Sequence, residues 1–140
     1  MKRKIALYMI SAVLLAMAAV FFVLYNKPHR SVKGEEAAFE LSVSELTEAF
    51  SNDETAAGSM YTGKVIQVKG PLRRMIRNDS TLILMMGDNE LMGVSCYLEK
   101  SQIPRSENLT AGELITVKGI CNGMLMDVVL DNAILVKDEE

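Results

Sequence analysis

Residue types able to do covalent or acid–base chemistry are few in this chain, and their spacing defeats most reactions they could support. The one histidine, His29, follows an apolar segment and precedes all of the remaining patterned sequence. That position excludes a serine–histidine or cysteine–histidine couple in the later part of the chain, and it reads as a solvated linker residue. Cys96 and Cys121 have no histidine nearby in the sequence and cannot complete an ordinary zinc site. Neither a complete G-x-x-x-x-G-K-[ST] nor a G-x-G-x-x-G phosphate cradle is present. Asp127 and Asp131 are four residues apart. In a strand they would share a face but stand about 13 Å apart, too far for a coupled acid–base pair, so a solvated strand edge is expected. No catalytic, cofactor-binding or metal-binding residue emerges, and the chain is not expected to be an enzyme.

Residues suited to binding are easier to find. Arg73, Arg74 and Arg77 cluster where a first strand runs toward a second, with Met75 and Ile76 between them, and Tyr97 is expected on the outward face of a third strand. Such a set could stack and pair with a nucleic-acid strand, hold a small anion or an acidic protein, or form a salt-bridged or merely soluble hairpin. Charge decides against nucleic acid: residues 34–140 carry all 18 acidic side chains and nine of the 15 basic ones, a net of −9, and there is no tryptophan. A surface of that sign repels phosphate backbones. Of the ten methionines, Met85, Met86, Met92, Met124 and Met126 in particular could suggest a metal or binding surface, but packing of the barrel interior is expected.

The elements that position these residues begin with a membrane segment. Ile5 to Tyr25 holds 21 residues without a charge, 11 of them Leu, Ile, Val or Phe, enough to cross a hydrocarbon core of roughly 30 Å as a helix. Lys2, Arg3 and Lys4 form a short basic tail over residues 1–4, and Ala16-Met17-Ala18 resembles a signal-peptidase site. The strongly apolar residues that follow it, Val20 to Tyr25, favour retention as a signal-anchor. Basic residues are equal in number on the two sides, but Lys2, Arg3 and Lys4 abut the span without a gap, which favours a cytoplasmic N-terminus and an extracytoplasmic, periplasmic domain. Lipid contact is therefore expected through residues 5–25. No cysteine near the end of this segment could carry a lipid.

Residues 26–40 read as a polar linker and 41–60 as a helical lead-in. Ser42 and Glu45 form a capping box ahead of an amphipathic helix over about 42–51, and a second, weaker helical stretch runs from Asp53 to Met60. From 61 to 137 the period changes to two. Lys64–Leu72, Thr81–Met86, Leu91–Leu98, Leu114–Cys121 and Asp127–Val136 are the expected strands, with Val68, Leu84, Val94, Val117 and Leu130 inside. Five strands in so short a span suit a mainly β, OB-type barrel. The repeated I-x-V-K-G at Ile66–Gly70 and Ile115–Gly119 places a glycine where a tightly coiled strand needs a bend or bulge. Cys96 and Cys121 fall on apolar faces of non-adjacent strands, so free thiols are expected.

From Leu41 to Val136 the chain resembles the tRNA-anticodon-like OB-fold group of bacterial membrane-anchored and envelope proteins. The resemblance rests on S-V-S-E-L-T-E-A-F, N-D-E-T-A-A-G-S-M-Y-T-G-K-V-I-Q-V-K-G, V-S-C-Y, L-T-A-G-E-L-I-T-V-K-G and G-M-L-M-D-V-V-L-D-N-A-I-L, in that order. It implies a fold and an envelope location, not an activity, and it assigns nucleic-acid binding to no residue. The expected function is a membrane-anchored binding module of the envelope acting on a protein partner, with a small anionic ligand as the alternative and single-stranded nucleic acid behind both.

Overall fold

The computed structural model describes residues 1–26 and 30–137, so His29 lies outside the described residues. The chain divides into two units, Met1–Arg30 and Ser31–Glu140. The first is helix α1 (Lys2–Tyr25), 24 residues long with no buried residue. It is long and apolar enough to cross a membrane, as an anchor or as a signal segment.

The second unit begins before the barrel. Val32 is fully buried, Lys118 Nζ donates to the Glu35 carbonyl at 2.7 Å, and Phe39–Ser42 forms a strand, β1, parallel to β2 (Val65–Arg77). Residues 31–40, expected as linker, are therefore part of the folded domain. The Phe39 ring packs edge-on against Tyr61 at 5.0 Å, with the Lys64 ammonium 5.3 Å from its centre. These contacts pin a strand too short to be stable alone.

Helix α2 (Val43–Asn52) starts where the sequence signals it. The Glu45 N–H donates to Ser42 Oγ at 3.1 Å, and the Ser42 N–H donates to the Glu45 carboxylate at 2.7 Å. That second bond, then the serine side chain, holds the Glu45 carboxyl below its ordinary range. Helix α3 (Glu54–Tyr61) follows at once, capped by Asp53, whose Oδ1 accepts the Ala56 N–H at 3.0 Å. Val43, Leu46, Phe50, Ala57 and Tyr61 turn inward from the two helices.

The barrel consists of β2, β3 (Leu82–Met86), β4 (Val94–Leu98), β5 (Leu114–Met124) and β6 (Val128–Val136), with a 3-10 helix, η1 (Lys100–Ser106), between β4 and β5. Strand order is β2-β3-β4-β6-β5, closed by β5 on β2, and the β4–β6 pair is parallel. This is the OB-type barrel the sequence implies, with β1 added along the first half of β2. Val68, Leu84, Val94, Val117 and Leu130 are all fully buried.

The two echoed glycines serve different ends. At Gly70 a Cβ would stand 2.4 Å from Val43 Cγ2, so the missing side chain lets α2 sit directly on β2. Gly119 lies at the register shift between Lys118 and Ile120, where a Cβ would meet Leu130 Cβ and the Asp131 carbonyl at 3.1 Å. The extra residue at that shift is on β6, where Asn132 and Ala133 stand opposite Gly119 alone and Asn132 has φ 47°, so neither glycine is itself the bulged residue. The expected strand from Leu91 starts instead at Val94, leaving Leu91 exposed in the loop. Of the methionines expected in the core, Met86 is fully buried, whereas Met126 is almost wholly exposed.

Cys96 and Cys121 are free and buried. Both pair in register with Leu130, from opposite sides of β6. Two strand spacings put their Cα atoms about 9.5 Å apart, beyond the ~7 Å a disulfide spans. Burial pushes both thiols up, opposed at Cys121 by a hydrogen bond from the Gly123 backbone.

Candidate binding face

Strand β2 is 13 residues long because it continues past the barrel and pairs with β3 through Arg77. Within that extension the register shifts between Leu72 and Arg74, making Arg73 the extra residue of a bulge. Beyond the bulge Arg74 pairs with Met85 and Ile76 with Ile83. Across the next ladder Met85 pairs with Ser95 and Ile83 with Tyr97. Residues directly opposite in a ladder share a face, so Arg74, Ile76, Ile83, Met85 and Tyr97 form one outward patch, with the buried Ser95 at its margin.

Its centre is apolar, with Ile83 and Met85 half-buried and Ile76 and Tyr97 exposed, at 36% and 39%. The Arg74 guanidinium lies along it, Nε donating to Met85 Sδ at 3.1 Å. The other two arginines go elsewhere. Arg73 Nη1 donates to the Asn89 carbonyl in the β3–β4 loop. Arg77 pairs with Leu82 on the opposite face of the hairpin. Of the four residues singled out from sequence, the structure thus brings Arg74 and Tyr97 together and diverts Arg73 and Arg77. Among the described residues none of the three arginines forms an ion pair.

Ile83 and Met85 were missed, because L-I-L-M-M is apolar at every position and carries no alternation. The role of Asp127 was also missed. Expected at a solvated edge, it is half-buried, its carboxylate accepting the Gly93 N–H and the Ser95 hydroxyl, each at 2.9 Å. It thereby ties the start of β6 to the start of β4 at the margin of the patch.

A second concavity lies away from this face. An open groove of about 450 Å³ has Leu109, Leu114, Ile115 and Leu135 along it, with Arg105 and Lys137 also lining it. Among the described residues no group of three or more His, Cys, Asp or Glu side chains is placed to hold a metal ion.

Barrel topology and exposed sheet face define an OB-fold binding domain of the tRNA-anticodon type. The chain belongs to the tRNA_anti-like family, which it matches over residues 1–135. Among solved structures it is similar to a Klebsiella pneumoniae subsp. pneumoniae protein provisionally named a nucleic acid-binding lipoprotein. The two are 20% identical, with a TM-score of 0.62, over 70% of this chain and 91% of that one. It is also similar to a protein from Leishmania major Friedlin provisionally named aspartyl-tRNA synthetase. There the identity is 12% and the TM-score 0.50, over 89% of this chain but 27% of the longer one. Likeness at these identities establishes the fold alone. A comparison with the curated proteins yields no significant match.

Proposed function

We propose that this protein is a membrane-tethered binding domain of the cell envelope, N-terminus in the cytoplasm and barrel outside, that holds a protein partner on the outer face of β3 and β4. One observation carries the reading: Arg74, Ile76, Ile83, Met85 and Tyr97 share a single outward face, and among the described residues Arg74 pairs with no carboxylate. Tyrosine, methionine and arginine are the residue types enriched where proteins meet. A strand of nucleic acid would find one exposed aromatic ring here and a net charge of −9 over residues 34–140, a poor stacking platform on a repelling surface. The tether reading is supported by a 24-residue helix that buries no side chain and opens with Lys2, Arg3 and Lys4 ahead of 21 uncharged residues.

The groove beside Arg105 and Lys137 favours a second reading, a small amphipathic anion with its apolar part along Leu109, Leu114 and Leu135. Crosslinking intact membranes and purifying the full chain separates these readings. A protein that co-purifies with the parental chain and is lost from the Arg74→Glu/Tyr97→Ala chain supports the proposal. A nuclease-sensitive adduct would replace it with nucleic acid. Protein capture unaffected by Arg74→Glu/Tyr97→Ala would move the site off this face.

A further inference from the structure

The most exposed apolar side chains of the folded domain lie together at one end of the barrel. Leu91 is 88% exposed, Leu125 87% and Met126 86%. Leu91 belongs to the β3–β4 loop, the other two to the β5–β6 turn, and hydrogen bonds join the two segments. The Gly93 N–H donates to Asp127 Oδ1 at 2.9 Å, and the Val128 N–H donates to the Gly93 carbonyl at 3.0 Å. Each segment is also braced internally: the Leu91 N–H donates to Asn89 Oδ1, and the Leu125 N–H to the Asp127 carbonyl. A lone exposed leucine needs no explanation. Three long apolar chains held outward by two fastened turns, with no part in the core, form a patch that does.

Chain connectivity places that patch. The Ala38 N–H donates to the Val65 carbonyl, so the chain enters the barrel beside the start of β2. Val65 pairs with Ile120, and β5 runs on from there to Met124 at the turn. The turn and Ala38, seven residues after the domain begins, are therefore at the same end, and Arg77 is at the far end of β2. Residues 26–30 alone separate Tyr25, the end of α1, from Ser31, the first residue of the domain. Five residues reach at most about 17 Å.

We infer that Leu91, Leu125 and Met126 form a second membrane contact, a rigid apolar tip that enters the lipid interface of the bilayer α1 crosses. The inference rests on the tether reading. The charged side chains on the two segments, Asp88, Glu90 and Asp127, are all acidic, so the fitting surface is a zwitterionic one and not a layer of anionic headgroups. Contact at this end presents the β2–β3 hairpin and its arginines away from the lipid, toward a partner.

The chain has no tryptophan, so Leu125→Trp creates a single fluorophore at an exposed position. Leu114→Trp, at the opposite end of β5 and 57% exposed in the parental chain, is the control. Both full-length chains are reconstituted into phosphatidylcholine vesicles with plain or brominated acyl chains and floated on a density gradient. Floated Leu125→Trp protein should shift its emission to the blue and lose intensity to the brominated lipid, while floated Leu114→Trp protein does neither. Flotation with a solvent-like, unquenched Leu125→Trp signal would overturn the tip contact and leave the tether standing. A blue shift without bromine quenching would assign the patch to a protein contact, a second copy included, and overturn the lipid reading. Failure to float would overturn the tether and the tip with it.

Discussion

Replacing Gly70 with alanine tests how α2 is seated on the barrel. The added Cβ would stand 2.4 Å from Val43 Cγ2 and 3.0 Å from Val43 Cβ, about 1 Å inside the ~3.5 Å at which carbon atoms rest. Val43 cannot swing aside, because it is buried at the start of α2, branched at Cβ and next to the Ser42 capping box. Overpacking of this kind costs about 1–3 kcal/mol. That corresponds to a loss of roughly 4–20 °C in Tm for a domain near 100 residues. Val43→Ala alone removes two buried methyl groups, about 1.6 kcal/mol at 0.8 each, plus a cavity term. In the double variant the new Cβ occupies the space Cγ2 has left, and the remaining 3.0 Å approach needs a shift of a few tenths of an ångström. The double variant should therefore be more stable than the sum of the two single losses by about 1–2 kcal/mol. Urea unfolding of residues 31–140, a unit with its own core, gives all four values. A Gly70→Ala domain of parental stability, or two losses that simply add, would refute the account of this glycine.

Three further outcomes follow from the same structure. Asp127→Ala leaves the Gly93 N–H and the largely buried Ser95 hydroxyl without their acceptor, a loss of about 1–3 kcal/mol. It should show in denaturant unfolding and as faster amide exchange at Gly93, with Asp127→Asn intermediate. Cys96 and Cys121 should give the mass of two free thiols without reductant, and should resist a thiol reagent at pH 8 until the domain is unfolded. Glu45 has its carboxyl lowered from 4.5 in the folded domain, so its contribution is complete above the unfolded value near 4.5 and is lost as pH falls through the lower folded value. The stability advantage of the parental domain over Glu45→Gln should fade across that acidic window and hold above it.

The parts of the fold legible in the sequence are those written in short-range spacing. Ile66, Val68, Gly70 and Leu72 alternate with Gln67 and Lys69, and that period alone orients the first half of β2. Ser42 and Glu45 announce the start of α2 from three residues apart. What escaped depends on distant partners. Strand β1 is four residues with no turn signal, defined by its parallel pairing with Ile66–Lys69. The bulge that sends Arg73 to one side and returns Arg74 to the Tyr97 face is a feature of the β2–β3 ladder, not of the arginine cluster. Asp127 gained its role from residues more than 30 positions away.

The most direct test of the binding face is site-resolved photocrosslinking in intact membranes. A photoreactive residue is placed in the full-length chain at Met85 or at Tyr97, and for comparison at Glu48 on the exposed side of α2. The account predicts protease-sensitive protein adducts from positions 85 and 97 and none from 48. Adducts from 48 alone, or adducts from 85 and 97 that nuclease removes, would contradict it.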